Sequence, residues 1–275
     1  MTMHRIVGRR APLLIPLLAA VLLLLLPAPA SAITNGEPDE GAHPYVGIIF
    51  NVDTFCTGTL LSPTVFLTAG HCTVLFEGTP TYVTFEEEPV VNPDPTQPWF
   101  YTDNAVAVAE VYTMEGYGEV FPQLTGYSRN DLGIAILAEP VYMDTYGALP
   151  EEGLADSFTS SQTFTAVGYG VQEFASGPGG RQVSAYGTRY RATERLISIP
   201  AQESQVGEEF LHLTSNPGGD RGGTCFGDSG GPVFLGDTNV IVGVNAFVTN
   251  YNCAGQNYAT RVDTAEALAF ITQFL

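Results

Sequence analysis

Between residues 45 and 248 the chain returns repeatedly to a short apolar or alternating run closed by turn residues: YVGIIF (45–50), TVFLTA (64–69), TYVTF (81–85), AVAVAEVY (105–112), LGIAIL (132–137), FTAVGYG (164–170), GPVFL (231–235) and VIVGVNAFV (240–248). Runs of this length are strand-sized rather than helix-sized, and 30 glycines and 19 prolines punctuate the chain. The pattern predicts an all-β fold, an antiparallel sandwich or barrel. Helical periodicity is confined to the tail DTAEALAFITQFL, where Asp263 and Glu266 have the spacing of a capping box and Leu268, Ile271 and Leu275 are spaced to share a face. No repeat of fixed period is present. Residues 86–103, with the triplet Glu86-Glu87-Glu88 and Pro89, Pro93, Pro95 and Pro98, are expected to be an exposed loop, as are residues 172–182.

Ahead of this pattern, residues 1–10 hold Arg5, Arg9 and Arg10 and no acid. Residues 11–26 are apolar apart from Pro12 and Pro16, and Ala30-Ser31-Ala32 supplies the small residues a signal peptidase accepts. Residues 1–32 therefore read as a signal peptide, and the broken, short apolar run argues against a membrane anchor. Processing leaves residues 33–275, enough for one large all-β unit or two modest ones with a real core, secreted and without membrane attachment. Three of the 10 basic residues fall in the leader, all 29 acids lie beyond it, and the chain has no lysine. So acidic a surface repels nucleic acid and anionic lipid and suits a soluble monomer. Cys56, Cys72, Cys225 and Cys253 are an even number in an exported chain, which predicts disulfides. No Cys or His cluster has metal-ligand spacing, and three pairings are open.

The strongest chemical signal is TCFGDSGGP, residues 224–232. Ser229 is flanked by Gly227, Gly230 and Gly231, which allow a tight turn and the close approach of a substrate carbonyl to main-chain N–H groups. A serine hydroxyl is a weak nucleophile and needs a histidine base with a third group to orient it. His43 in GAHPYV and His212 in FLHLTS read as structural; His71, in LTAGHC, ends an apolar strand beside Cys72.

LTAGHC, NDLGIAIL and GDSGGP, in that order, resemble the three signature segments of the trypsin/chymotrypsin family of serine endopeptidases. The likeness runs from Ile33 to the final helix, and the chain looks like a secreted, bacterial-looking member. The resemblance implies two packed six-stranded antiparallel barrels, the first over about 33–148 and the second over about 149–262 with the crossover near 138–155, followed by a C-terminal helix over about 263–275. It implies His71 as general base and then acid, Asp131 as its orienting partner, Ser229 as nucleophile, and the N–H groups of Gly227 and Ser229 as oxyanion hole. It pairs Cys56 with Cys72 and Cys225 with Cys253. It also assigns a task to Ile33: a free N-terminal isoleucine folds inward and its ammonium pairs with Asp228. Since the leader ends at Ala32, signal peptidase itself would generate the active N-terminus. The alternative is a catalytically silent protease-fold binding protein, against which the intact His71, Asp131, Ser229 and Asp228 weigh.

By the same resemblance Gly223 floors the pocket for the side chain before the scissile bond, where trypsin-like enzymes place an aspartate, and Asp220 falls outside it. Thr224 and Phe226 adjoin the pocket, with Phe226 over its entrance. NAFVTNYNC sets Ala246 at a usual serine, Phe247 at a usual tryptophan and Val248 where glycine is common. Val248 and Asn257 narrow the pocket, so protein or peptide substrates with small or medium uncharged side chains are implied. No organic cofactor is needed. Calcium at the acidic 86–103 loop has a parallel in some relatives, although such clusters are more often simply solvated.

Overall fold

Val, Ile, Phe and Thr, enriched in the short runs, suit a pleated, half-buried surface, and the runs do pair as strands. The computed structural model describes residues 33, 36–94, 96–118, 128–177, 180–199, 207–215 and 222–275; the leader and Asp220 lie outside the described residues. After a two-residue strand β1 (Glu37–Pro38), the chain forms β2 (Val46–Phe50), β3 (Phe55–Leu60), β4 (Val65–Thr68), a short helix α1 (Gly70–Phe76), β5 (Tyr82–Thr84), a small hairpin of β6 (Val90–Val91) and β7 (Phe100–Tyr101), β8 (Val106–Thr113) and β9 (Gly133–Leu137). Six of these close a barrel in the order β2-β3-β4-β9-β8-β5, all neighbours antiparallel.

The second barrel follows a connection that contains the 3-10 turn Leu154–Ser157. Its strands are β10 (Thr163–Gly168), β13 (Tyr190–Ser198), β14 (Phe210–Ser215), β15 (Pro232–Leu235), β16 (Ile241–Val248) and β17 (Gly255–Arg261), with β11 (Glu173–Gly177) and β12 (Gly180–Ala185) as a side hairpin. The order β13-β10-β15-β16-β17-β14 closes through a bulged pairing of β13 with β14, and β1 adds to the outside of β13. Phe164, Leu196, Leu211, Leu213, Val233 and Val242 fill this barrel. The larger apolar cluster runs from Ile48, Phe66 and Ile134 of the first barrel into Val167, Tyr169 and Phe234 of the second, so the two barrels share a continuous core. Burial of that shared surface is what fixes one barrel against the other.

Three expectations need correction. Residues 86–103 are not simply an exposed loop: Val91 pairs with Phe100, which is buried edge-on against Phe50 and Phe55 at 5.5 and 5.3 Å. The aromatic run Trp99-Phe100-Tyr101 at the end of the polar stretch supplies enough apolar surface to hold it down. Within 172–182, residues 173–177 and 180–182 likewise pair in the β11/β12 hairpin. The terminal helix, α2 (Ala265–Thr272), is capped by Thr264, whose hydroxyl accepts from the Ala267 N–H, and not by Asp263. Asp263 is instead held by Arg261 and by the Ala155 N–H, and α2 buries Ala267 and Ile271 while Leu275 is exposed.

Both histidines read as structural are engaged. His43 Nδ1 lies 2.5 Å from Asp39 Oδ1 and its ring stacks on Phe234. His212 is bonded to Ser198 and Gln256 and stacks on Tyr258.

Candidate active site

The chain leaves β4 at Thr68 and turns directly into α1, which buries Cys72, Thr73 and Phe76 and leaves His71 partly exposed at the barrel rim. Close packing of α1 on β9 requires a glycine at 133, because a Cβ there would come within 2.5 Å of the Thr73 methyl. Asp131, just before β9, is thereby set under the imidazole. Its Oδ1 accepts the His71 backbone N–H at 2.7 Å and its Oδ2 lies 2.8 Å from Nδ1. Two bonds to one carboxylate fix both the turn and the ring, keep the proton on Nδ1, and leave Nε2 as an acceptor. Burial alone would depress the imidazole pKa, but the charge and hydrogen bond of Asp131 outweigh it and hold it above the ordinary histidine value.

Ser229 lies in the turn that precedes β15. The Thr57 N–H donates to Ser229 O at 2.8 Å, and the Thr57 hydroxyl donates to Gly227 O at 2.8 Å. Thr57 follows Cys56, which is bonded to Cys72 next to His71, and Cys72 Sγ lies 3.8 Å from Ser229 O. The serine turn of the second barrel is thus clamped to the strand and bridge that carry the histidine. Gly227 and Gly230 have φ of +95° and +82°, and a Cβ at Gly230 would meet Thr68 Oγ1 at 2.1 Å. Cys225 is bonded to Cys253, which ties the turn to the segment between β16 and β17.

Asp228 is fully buried. Its Oδ1 accepts from the Gly170 N–H at 2.7 Å and its Oδ2 from the Cys225 N–H at 2.8 Å. Side chains at Gly168 or Gly170 would collide with this carboxyl, at 2.2 and 2.6 Å. Among the described residues it has no cationic partner, and burial pushes its pKa up to about 7 against the pull of the two N–H donors. Ile33 is fully buried, and while it remains peptide-bonded to Ala32 it has no ammonium to offer.

A cleft of about 230 Å³ opens beside Ser229, walled by Thr224, Phe226, Asn245, Phe247 and Val248. Two residues expected in its wall stand behind it. Gly223 is pressed against Ser215, where a Cβ would fall 1.8 Å from the hydroxyl, and Asn257 donates from behind to Thr224 Oγ1 at 2.9 Å. Neither lines the cleft, and between Asn257 and the cleft stands the Thr224 side chain.

Sequence reasoning missed Glu194. On β13 the residues Ala192, Glu194 and Leu196 point inward, and Glu194 is fully buried behind Thr224. Burial pushes its carboxyl up to about 8; the Asn257 amide and the Thr224 N–H pull the other way, and the negative charge of Asp228 adds to the rise. Neither donor makes a well-formed hydrogen bond with it, so both oxygens lack a full partner. The signal was the alternation in YRATERLIS, which sets an acid at an inward position.

Two carboxylates of the 86–103 stretch are engaged by the protein. Glu86 Oε1 takes donors from Thr102 and Asn104, and Glu87 faces the Arg189 guanidinium at 3.8 Å. Cys56, His71 and Cys72 lie within reach of one another, but the sulfurs are bonded together and offer no thiolate. Among the described residues no helix is long and apolar enough to cross a membrane.

Two closed antiparallel barrels, with a histidine–aspartate pair on one and a glycine-framed serine turn on the other, define the trypsin-like serine protease fold. The trypsin family model matches residues 33–270, and the chain belongs to that family. Among solved structures, an HL collagenase is similar at 19% identity with a TM-score of 0.66, over 87% of this chain and 97% of that one. A mutant of human heparin binding protein (CAP37) is similar at 17% identity with a TM-score of 0.61, over 86% and 94%. None of the curated protein sequences compared with the chain matches it.

Proposed function

We propose that the protein is a secreted serine endopeptidase. The observation that carries this is the double engagement of His71 by Asp131 on the first barrel, with the Ser229 turn clamped beside it through Thr57 and the Cys56–Cys72 bridge. Ser229 Oγ attacks the scissile carbonyl carbon as its proton passes to His71 Nε2. The N–H groups of Gly227 and Ser229 receive the developing oxyanion. The C–N bond breaks as His71 protonates the leaving amine, and water, deprotonated by His71, then releases the acyl group. Asp131 stays ionised and stabilises the imidazolium. No cofactor enters these steps.

The cleft walled by Phe247 and Val248, with no charged side chain in its lining, suits small or medium uncharged side chains before the scissile bond. Removal of residues 1–32 during export exposes the Ile33 amine as the partner of Asp228. The test is intact mass before and after a fluorophosphonate, beside Ser229→Ala. One adduct on the secreted chain and none on the variant supports the reading. A correctly folded chain that takes no adduct points to a silent binding protein of this fold.

A further inference from the structure

Inward from the cleft beside Ser229, three polar side chains follow one another. Thr224 stands in the cleft wall, the Asn257 amide lies behind it with Nδ2 donating to Thr224 Oγ1 at 2.9 Å, and the Glu194 carboxyl lies next, within the pull of that amide and of the Thr224 N–H. Glu194 and Asn257 are fully buried, yet both Glu194 oxygens and Asn257 Oδ1 lack a hydrogen-bond partner. Buried polar groups are ordinarily paired, so three unpaired atoms in one short row call for a reason. Phe164 on β10, Leu213 on β14 and Val233 on β15 make the rest of this barrel interior apolar. Among the described residues the titratable group that acts on Glu194 is Asp228, from the serine turn, and the Ile33 ammonium proposed above would stand beyond it.

An amide has a donor end and an acceptor end of nearly the same shape. As it stands, Nδ2 faces both Thr224 Oγ1 and the carboxyl, which suits an ionised Glu194: one N–H serves each, and the Thr224 O–H is left to donate into the cleft. A protonated Glu194 sets an O–H against that N–H, donor against donor. Turning the amide over brings Oδ1 between the two hydroxyls, where it accepts from Glu194 and Thr224 together, and Thr224 then offers the cleft only lone pairs. Oδ1 has no partner where it now lies, so the turn breaks no bond at that end. We propose that Glu194 is a positioning residue for substrate choice: acting through Asn257, it decides whether the Thr224 hydroxyl gives or accepts a hydrogen bond in the cleft. An uncharged side chain that bears an acceptor oxygen before the scissile bond is then favoured over its hydrocarbon counterpart when Glu194 is ionised, and loses that advantage when Glu194 is protonated. The inference rests on the protease reading above. Burial pushes the Glu194 carboxyl up to about 8, so both arrangements are reached between neutrality and mild alkali.

The test compares two peptide substrates identical except for O-methylserine or norvaline before the scissile bond. The two side chains differ by an ether oxygen in place of a methylene, and that oxygen only accepts. The ratio of their kcat/KM values is followed from about pH 6 to about pH 10. Titration of His71 and of the Ile33 amine acts on both substrates alike and cancels in the ratio. In the wild type the ratio, ether over hydrocarbon, should rise about three- to tenfold through the Glu194 titration, the worth of one net hydrogen bond. Glu194→Gln cannot ionise and should give a flat ratio. Thr224→Val, which removes the hydroxyl at the cleft and leaves Glu194 in place, should also be flat, while Thr224→Ser should keep the rise. A flat ratio in active wild-type enzyme, or a rise that survives in Glu194→Gln or Thr224→Val, overturns the inference. An enzyme that hydrolyses neither substrate fails earlier, on the proposed function itself.

Discussion

Asp131 and Glu194 are both buried acids, and their surroundings set them opposite tasks. Asp131 accepts two N–H bonds from His71 and raises the imidazole pKa. For a histidine that must be neutral to act as base, a raised pKa places the acid limb of the activity profile above the ordinary histidine value. Asp131→Asn should lower kcat on the order of 10⁴-fold and move the acid limb of the residual activity to lower pH, measurable with an ester substrate across pH 4–8. Among the described residues Glu194 faces no cation, and it sits in a low-dielectric wall, so the folded state prefers its protonated form, with a pKa of about 8 against an ordinary 4.5. Between those values the folded chain holds a proton that the unfolded chain has released, and stability falls as pH rises through the window. Glu194→Gln has no charge to lose. Its urea midpoint should sit near that of the wild type at pH 5 and move above it by pH 8; a constant gap across the range would mean that Glu194 is ionised in the fold.

Elements hold the site through a few long-range clamps. Arg189, which precedes β13, reaches Asp39 Oδ2 at 2.9 Å and Tyr169 Oη at 3.0 Å, while Asp39 also takes His43, so the segment after β1 is tied to β10 and β13 by buried charge. Arg189→Ala would leave the buried Asp39 carboxylate without its guanidinium partner and is expected to cost ~3–5 kcal/mol, read as a drop in urea midpoint. The strand runs were legible because a two-residue period and turn residues are local signals, and eight of the strands that build the barrels coincide with the quoted runs. The triad positions were legible through resemblance of short segments. What escaped was decided by distant contacts: Trp99 and Phe100 fold down because Phe50, Phe55 and Tyr186 wait for them, and Asn257 is displaced from the pocket wall by Thr224. The helix cap passed to Thr264 because Arg261 and Ala155 claim Asp263.

At the scale of the whole molecule, the proposed function has a single covalent event link export to competence. The proposed cut at Ala32 would create an ammonium at Ile33, and Asp228 is a buried carboxyl with two N–H donors but no cation among the described residues. Pairing would lower the Asp228 pKa from about 7 and raise that of the amine above the ~7.7–8.0 of an ordinary α-amino group. The amine's contribution is fully present below that ordinary value and is lost as pH rises through the folded pKa, so activity should fall on the alkaline side by release of the N-terminus. Because the chain has no lysine, this α-amine is the only primary amine in the processed protein, which makes it uniquely addressable by an acylating reagent. At neutral pH acetic anhydride should leave it unmodified and activity intact. Near pH 10, where the pair opens, one acetyl group per chain that survives hydroxylamine removal of tyrosine esters should appear in the intact mass, with activity lost in proportion after return to pH 7. An N-terminus that acetylates at neutral pH without loss of activity would show that no buried pair with Asp228 holds the active conformation.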